Sequence, residues 1–106
     1  MVTQQSALKI AHEFIDAIIA SGFPLKKAIL FGSYARNEQR KDSDIDLALI
    51  ADEFIGVGYF DLKHFVNIKI SRKEYTPIEA HTFNTSYFIS GDPFIHEIEK
   101  TGIPLL

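Results

Sequence analysis

The chain has 106 residues, 46% of them hydrophobic and 24% charged, which suits one compact domain over residues 1–106 with a modest core and argues against a second folded unit. Its formal net charge is -3, and its basic residues are scattered apart from Arg36, Arg40 and Lys41, so no dedicated nucleic-acid surface is expected. Without cysteine there is neither a disulfide framework nor a thiolate metal site, and no apolar stretch is long enough for a signal peptide or membrane span, so a cytoplasmic location is expected.

From Thr3 to Ser21, Ala7, Leu8, Ala11, Phe14, Ile15, Ile18 and Ile19 recur at three- and four-residue steps, the stripe of an amphipathic helix that Gly22 ends and Pro24 keeps from resuming. Lys27 to Phe31 is a short apolar run fit for a strand. Gly32 and Ser33 interrupt it, and Tyr34 to Glu38 is expected to form a short helix with Ser33 as its N-cap. Asp44 to Ala51 reads as a second strand. Because residues i and i+2 share a strand face, Asp44 and Asp46 point together, opposite Ile45, Leu47 and Leu49.

After Gly56 and Gly58, the residues Tyr59, Leu62, Phe65 and Val66 predict a second helix reaching about Lys69. Thr76 to Phe83 is a third strand, with Glu79 and His81 on one face and Ile78, Ala80 and Thr82 on the other. Asp92 followed by Pro93 opens a last helix, which buries Phe94, Ile95 and Ile98 and closes at Gly102 before an apolar tail, Ile103 to Leu106. This order of elements describes an α/β (α+β) domain with a small mixed sheet.

Two carboxylates on one strand face repel each other, and burying them unpaired costs on the order of several kcal/mol. A divalent cation removes that cost, and Mg2+ is usually held by one or two carboxylates together with substrate phosphate oxygens. The Gly32-Ser33 turn offers the phosphate side of such a site, since glycine lets the backbone approach an anion and the amides of a following helical turn face it. Separately, each feature has an ordinary reading: a plain strand-to-helix turn and a solvated strand end.

Taken together, Gly32-Ser33-Tyr34-Ala35-Arg36, seven further residues, and Asp44-Ile45-Asp46-Leu47 resemble the signature of the DNA polymerase beta-type nucleotidyltransferase superfamily. The chain is most similar to its shortest branch, the minimal nucleotidyltransferases, many of which are encoded beside HEPN-domain partners. The resemblance implies that Gly32 and Ser33 hold a triphosphate, and that Asp44 and Asp46 bind two catalytic Mg2+ ions. It also implies a third carboxylate on a later strand, for which Glu79 is the candidate, although aspartate is more usual there. Arg36 either contacts a phosphate or pins the loop. Asn37 stands where the family often has glycine, and asparagine tolerates the left-handed backbone better than most residues. His81 shares a face with Glu79 and is read as a solvated or hydrogen-bonded structural histidine.

The activity implied is attack by an acceptor hydroxyl on the α-phosphate of ATP or another nucleoside triphosphate, with pyrophosphate leaving and two metals assisting. In that mechanism Asp44, Asp46 and Glu79 are the metal ligands, and Asp44 and Glu79 are the two candidates for proton acceptor. Larger superfamily members add domains that hold the base and the acceptor; here a second copy or a partner completes the site, and the resemblance suggests a HEPN-type toxin modified on a tyrosine. The alternative is a catalytically idle module with the same fold, acting as an antitoxin by contact alone.

Overall fold

The computed structural model describes residues 3–106. Thr3 and Ser6 exchange side-chain-to-amide hydrogen bonds, and this capping box starts α1 (Gln4–Ala20). The expected stripe faces inward: Ala7, Ala11, Phe14, Ile15 and Ile18 are buried, and Ile19 is the member left exposed. Each large apolar side chain removed from water in this way contributes about 1.5–3 kcal/mol.

Strands β1 (Lys27–Phe31) and β2 (Ile45–Ala51) pair antiparallel, β3 (Ile78–Asn84) joins β2 in parallel, and β4 (Ile103–Pro104) pairs antiparallel with β1. The sheet is therefore mixed, with strand order β3-β2-β1-β4, in the α+β class read from the sequence. Strand β2 begins at Ile45, so Asp44 lies just outside it. The apolar tail becomes β4, and Leu105 extends the pairing by donating to the Ala28 carbonyl at 2.8 Å. Its Pro104 is tolerated because β4 is an edge strand.

Alternation along the strands sorts two cores. Ala28, Leu30, Ile45, Leu47, Leu49 and Ile78 face α1, joined by Phe54, Phe65 and Tyr75. On the other face Ile29, Phe31, Ala48 and Ile50 pack with Phe88, Ile95 and Ile98. Those last three belong to α4 (Thr85–Phe88) and α5 (Pro93–Thr101), the latter capped by Asp92, which accepts from the Phe94 amide at 2.8 Å. Phe94, expected to be buried, is 52% exposed. Gly102 lets α5 turn closely onto the sheet, since a Cβ there would stand 2.5 Å from both Ile29 Cγ2 and the Ile98 carbonyl.

The helix expected from Tyr59 to Lys69 is broken into α2 (Gly58–Asp61), a 3₁₀ turn (Leu62–His64) and α3 (Val66–Lys69). Phe65 interrupts it with φ -141 and ψ 12, a backbone outside the helical region, while its ring packs edge-on against Phe14 and Phe54. Tyr59 is 84% exposed and has no part in the stripe. Burial of Phe65 outweighs continuity in a segment that lacks a capping side chain at Val57. Among the described residues, no helix is long and apolar enough to cross a membrane.

Asp61 is 2% exposed, yet it is fully engaged: it accepts from the amides of Ile55 and Gly56, each at 2.9 Å, and from the Thr82 hydroxyl at 2.7 Å. Burial alone would push its pKa up, but these donors, with a smaller contribution from His64, hold it below the ordinary carboxylate value. Asp61→Asn places an amide N–H2 against one of these donors and is expected to lower stability by about 1–3 kcal/mol, read as a lower urea midpoint at neutral pH. The contribution of a carboxylate with a lowered folded-state pKa is complete above its unfolded value of about 4 and is lost as pH falls through the folded value. The gap between wild type and variant should therefore narrow in acid.

Candidate functional site

The Gly32–Asn37 segment leaves β1 as a single helical turn rather than the expected short helix. The Arg36 backbone amide donates to the Gly32 carbonyl at 3.2 Å, so Gly32 and not Ser33 stands at the cap position. Asn37 ends the turn in the left-handed region at φ 56, and the amides of Asn37 and Glu38 donate back to the carbonyls of Tyr34 (3.2 Å) and Ser33 (2.8 Å). That closure stops the helix after one turn. Tyr34 is buried in the α1-side core, and Gln4, the first residue of α1, donates to the carbonyls of Tyr34 (3.0 Å) and Ala35 (3.3 Å). At the open end, the amides of Ser33, Tyr34 and Ala35 have no acceptor among the described residues, as expected of the first amides of a helical turn.

Gly32 has φ 76, and a Cβ on it would collide with Asp46 Oδ2. The reason is register, since Phe31 at the end of β1 stands opposite Asp46 on β2. On the other side of β2, Asp46 stands opposite Glu79 and Ala48 opposite His81 on β3. All three polar side chains thus lie on the sheet face that α4 and α5 cover only in part. His81 Nε2 lies 3.3 Å from Asp46 Oδ1 and 3.9 Å from Glu79 Oε1. Their side chains are 24% (Asp46), 31% (His81) and 55% (Glu79) exposed, so the cluster opens to solvent on the Glu79 side. Phe31 walls it, its ring meeting the His81 imidazole edge-on at 5.0 Å and that of Phe94 at 5.9 Å.

One ligand atom from each of Asp46, Glu79 and His81 lies within 4.8 Å of the others, a spacing one cation can span. The two carboxylates suit a hard divalent ion, and the bare Gly32 leaves the Asp46 carboxylate free to lie against the turn that follows β1. Asp44 is exposed, one residue before β2, and is not in this cluster. Arg36 is also exposed, in a 3.5 Å pair with Glu38. Exposed pairs of this kind are worth about 0–1 kcal/mol, so the guanidinium is readily released to another anion.

Sequence reasoning gave no site role to His81 or Gln4. His81 was signalled by its i+2 relation to Glu79. No local spacing signals Gln4, whose partners lie thirty and thirty-one positions away.

A family model described as Polymerase beta, Nucleotidyltransferase matches residues 13–106. The chain belongs to this family. It is 32% identical over 91 residues to "Putative protein adenylyltransferase MJ0435" of Methanocaldococcus jannaschii, covering 84% of this chain and 90% of the relative. "Putative protein adenylyltransferase MJ0604" of the same organism is 42% identical over 45 residues, 42% of this chain and 45% of that protein.

Two crystal structures share the fold. One is of a "putative nucleotidyltransferase" from Sulfolobus solfataricus, with TM-score 0.66, 22% identity and coverage of 95% of this chain and 80% of that one. The other is a mutant of the toxin-antitoxin MntA-HpeT, with TM-score 0.59, 16% identity and coverage of 90% and 72%. This polymerase beta-type chain is accordingly a minimal nucleotidyltransferase, an enzyme class that takes a nucleoside triphosphate and a divalent metal.

Gly32→Ala would put a methyl group into the Asp46 carboxylate from a left-handed backbone position that itself costs about 1–2 kcal/mol for a residue bearing a Cβ. A drop of at least that size in denaturant-derived stability is expected.

Proposed function

We propose that the protein transfers a nucleoside monophosphate, AMP from ATP, to a hydroxyl acceptor, a tyrosine of a HEPN-type toxin partner, with two divalent ions taken as Mg2+. The observation that carries this reading is Asp46 set opposite Glu79 on parallel strands, directly beside the Gly32 turn. Protein modification is supported by the name of the Methanocaldococcus relative, and the toxin partner accords with the toxin-antitoxin pair whose fold is shared. The domain acts in the cytoplasm, where a partner or a second copy completes its site.

Asp46 and Glu79 would hold metal, and Asp44, at the mouth of β2, would join them. Bound there, divalent ions supply charge neutralisation for the triphosphate and lower the pKa of the attacking hydroxyl. The amides of Ser33, Tyr34 and Ala35 donate to phosphate oxygens, which the bare α-carbon of Gly32 allows to come close. Arg36 leaves Glu38 to meet a phosphate. The acceptor oxygen forms the new bond to the α-phosphorus as the bond to pyrophosphate breaks, and its proton passes to Asp44 or to Glu79, whose side chain faces solvent. Positioning and charge neutralisation account for most of the rate.

The test is label transfer from α-labelled ATP to the neighbour-encoded partner, run in parallel with Mg2+ and Mn2+. Wild type should label the partner, and Asp46→Asn and Glu79→Gln should each lose roughly 10²-fold or more. No transfer by wild type with either metal, or equal transfer by Asp46→Asn, overturns the proposal. Toxin neutralisation by a folded Asp44→Asn/Asp46→Asn variant would establish the idle binding module instead.

A further inference from the structure

The third donor in the cluster is a nitrogen. We infer that His81 Nε2 is a direct ligand of the divalent ion held by Asp46 and Glu79, and that it strengthens Mn2+ binding at this position more than Mg2+ binding. The inference rests on the reading that these two carboxylates hold a metal.

The placement follows from the sheet. Glu79 and His81 are two residues apart on β3, so both project to the face where Asp46 projects from β2. Opposite His81 stands Ala48, whose small side chain leaves the imidazole room beside Asp46. Phe31 meets the ring edge-on at 5.0 Å, restricting its rotation on the side away from solvent.

In octahedral coordination at bond lengths of about 2.1 Å, neighbouring ligand atoms stand roughly 3 Å apart and opposite ones roughly 4 Å apart. The observed 3.3 Å from His81 Nε2 to Asp46 and 3.9 Å to Glu79 both lie within that span.

The donor chemistry selects the ion. Mg2+ takes oxygen ligands and gains little from an imidazole, whereas transition ions gain from it. Two carboxylates and the oxygens of a triphosphate remain a hard, octahedral environment, which suits Mn2+ among the ions that also accept nitrogen.

The test uses Mn2+ alone on the full chain, without nucleotide. Pulsed electron paramagnetic resonance of the Mn2+-loaded wild type should show the nitrogen modulation of a directly bound imidazole. Asp46→Asn should remove it together with the bound ion, and His81→Gln should remove it while leaving the protein folded by circular dichroism. In titrations, His81→Gln should weaken Mn2+ about tenfold or more and Mg2+ by much less.

Absence of nitrogen modulation in Mn2+-loaded wild type, or an equal loss of Mg2+ and Mn2+ affinity in His81→Gln, overturns the inference. The wild-type spectrum decides even if the variant fails to fold. Nitrogen coupling without label transfer would overturn only the proposed activity, and label transfer without nitrogen coupling only this assignment.

Discussion

Everything at the site depends on two acidic side chains being held opposite each other across the β2–β3 pair. Like charges directly opposed on neighbouring strands cost about 0.2–1 kcal/mol, so the pairing is not self-supporting. It is imposed by what lies on the reverse of the sheet. Ile45 and Leu47 flank Asp46, Ile78 precedes Glu79, and all three are buried against the α1 layer. Each contributes about 1.5–3 kcal/mol by leaving water, and a one-residue slip of either strand would turn that set outward. Core burial therefore outweighs the repulsion and fixes which polar residues meet.

The same face of the sheet serves two purposes along its length. Toward the far end of β2, Ala48 and Ile50 pack with Phe88, Ile95 and Ile98, and the sheet is covered. At the near end the covering helices give way, and Asp46, Glu79 and His81 occupy positions that alternation alone would fill with apolar groups. Phe31 and Phe94 mark the boundary, one ring packed against His81 and the other half exposed. A polar cluster walled by aromatic rings is partly shielded from water, and its interactions with a charged ligand are correspondingly stronger than on an open surface.

Local patterning made much of this legible. The period of Ala7, Ala11, Phe14 and Ile18, the alternation of Ile45 to Leu49, and the Asp92-Pro93 start each describe their element without help from distant residues. The Gly32 turn and the Asp46 strand were readable because both halves of their chemistry lie within one short segment. What was hidden depends on contacts across the chain. Phe65 breaks a helix because of rings at positions 14 and 54; Ile103 and Pro104 form a strand only because β1 has a free edge; Asp61 is an anchor only because Thr82 and two amides converge on it. His81 lay between these cases, on the right face by spacing, with its distance to Asp46 set by a strand pairing that no sequence window contains.

The hydrogen bonds from Gln4 to the turn after β1 join that turn to a helix end that ordinarily frays. A helix terminus opens far more often than its middle, and each opening of the first turn of α1 withdraws the Gln4 side-chain amide from both the Tyr34 and Ala35 carbonyls. The Thr3–Ser6 box that resists this fraying therefore also steadies, at one remove, the turn whose first amides are left without an acceptor. Conformational entropy lost in the first turn of α1 before a ligand arrives is entropy that binding at the adjoining turn would no longer have to remove.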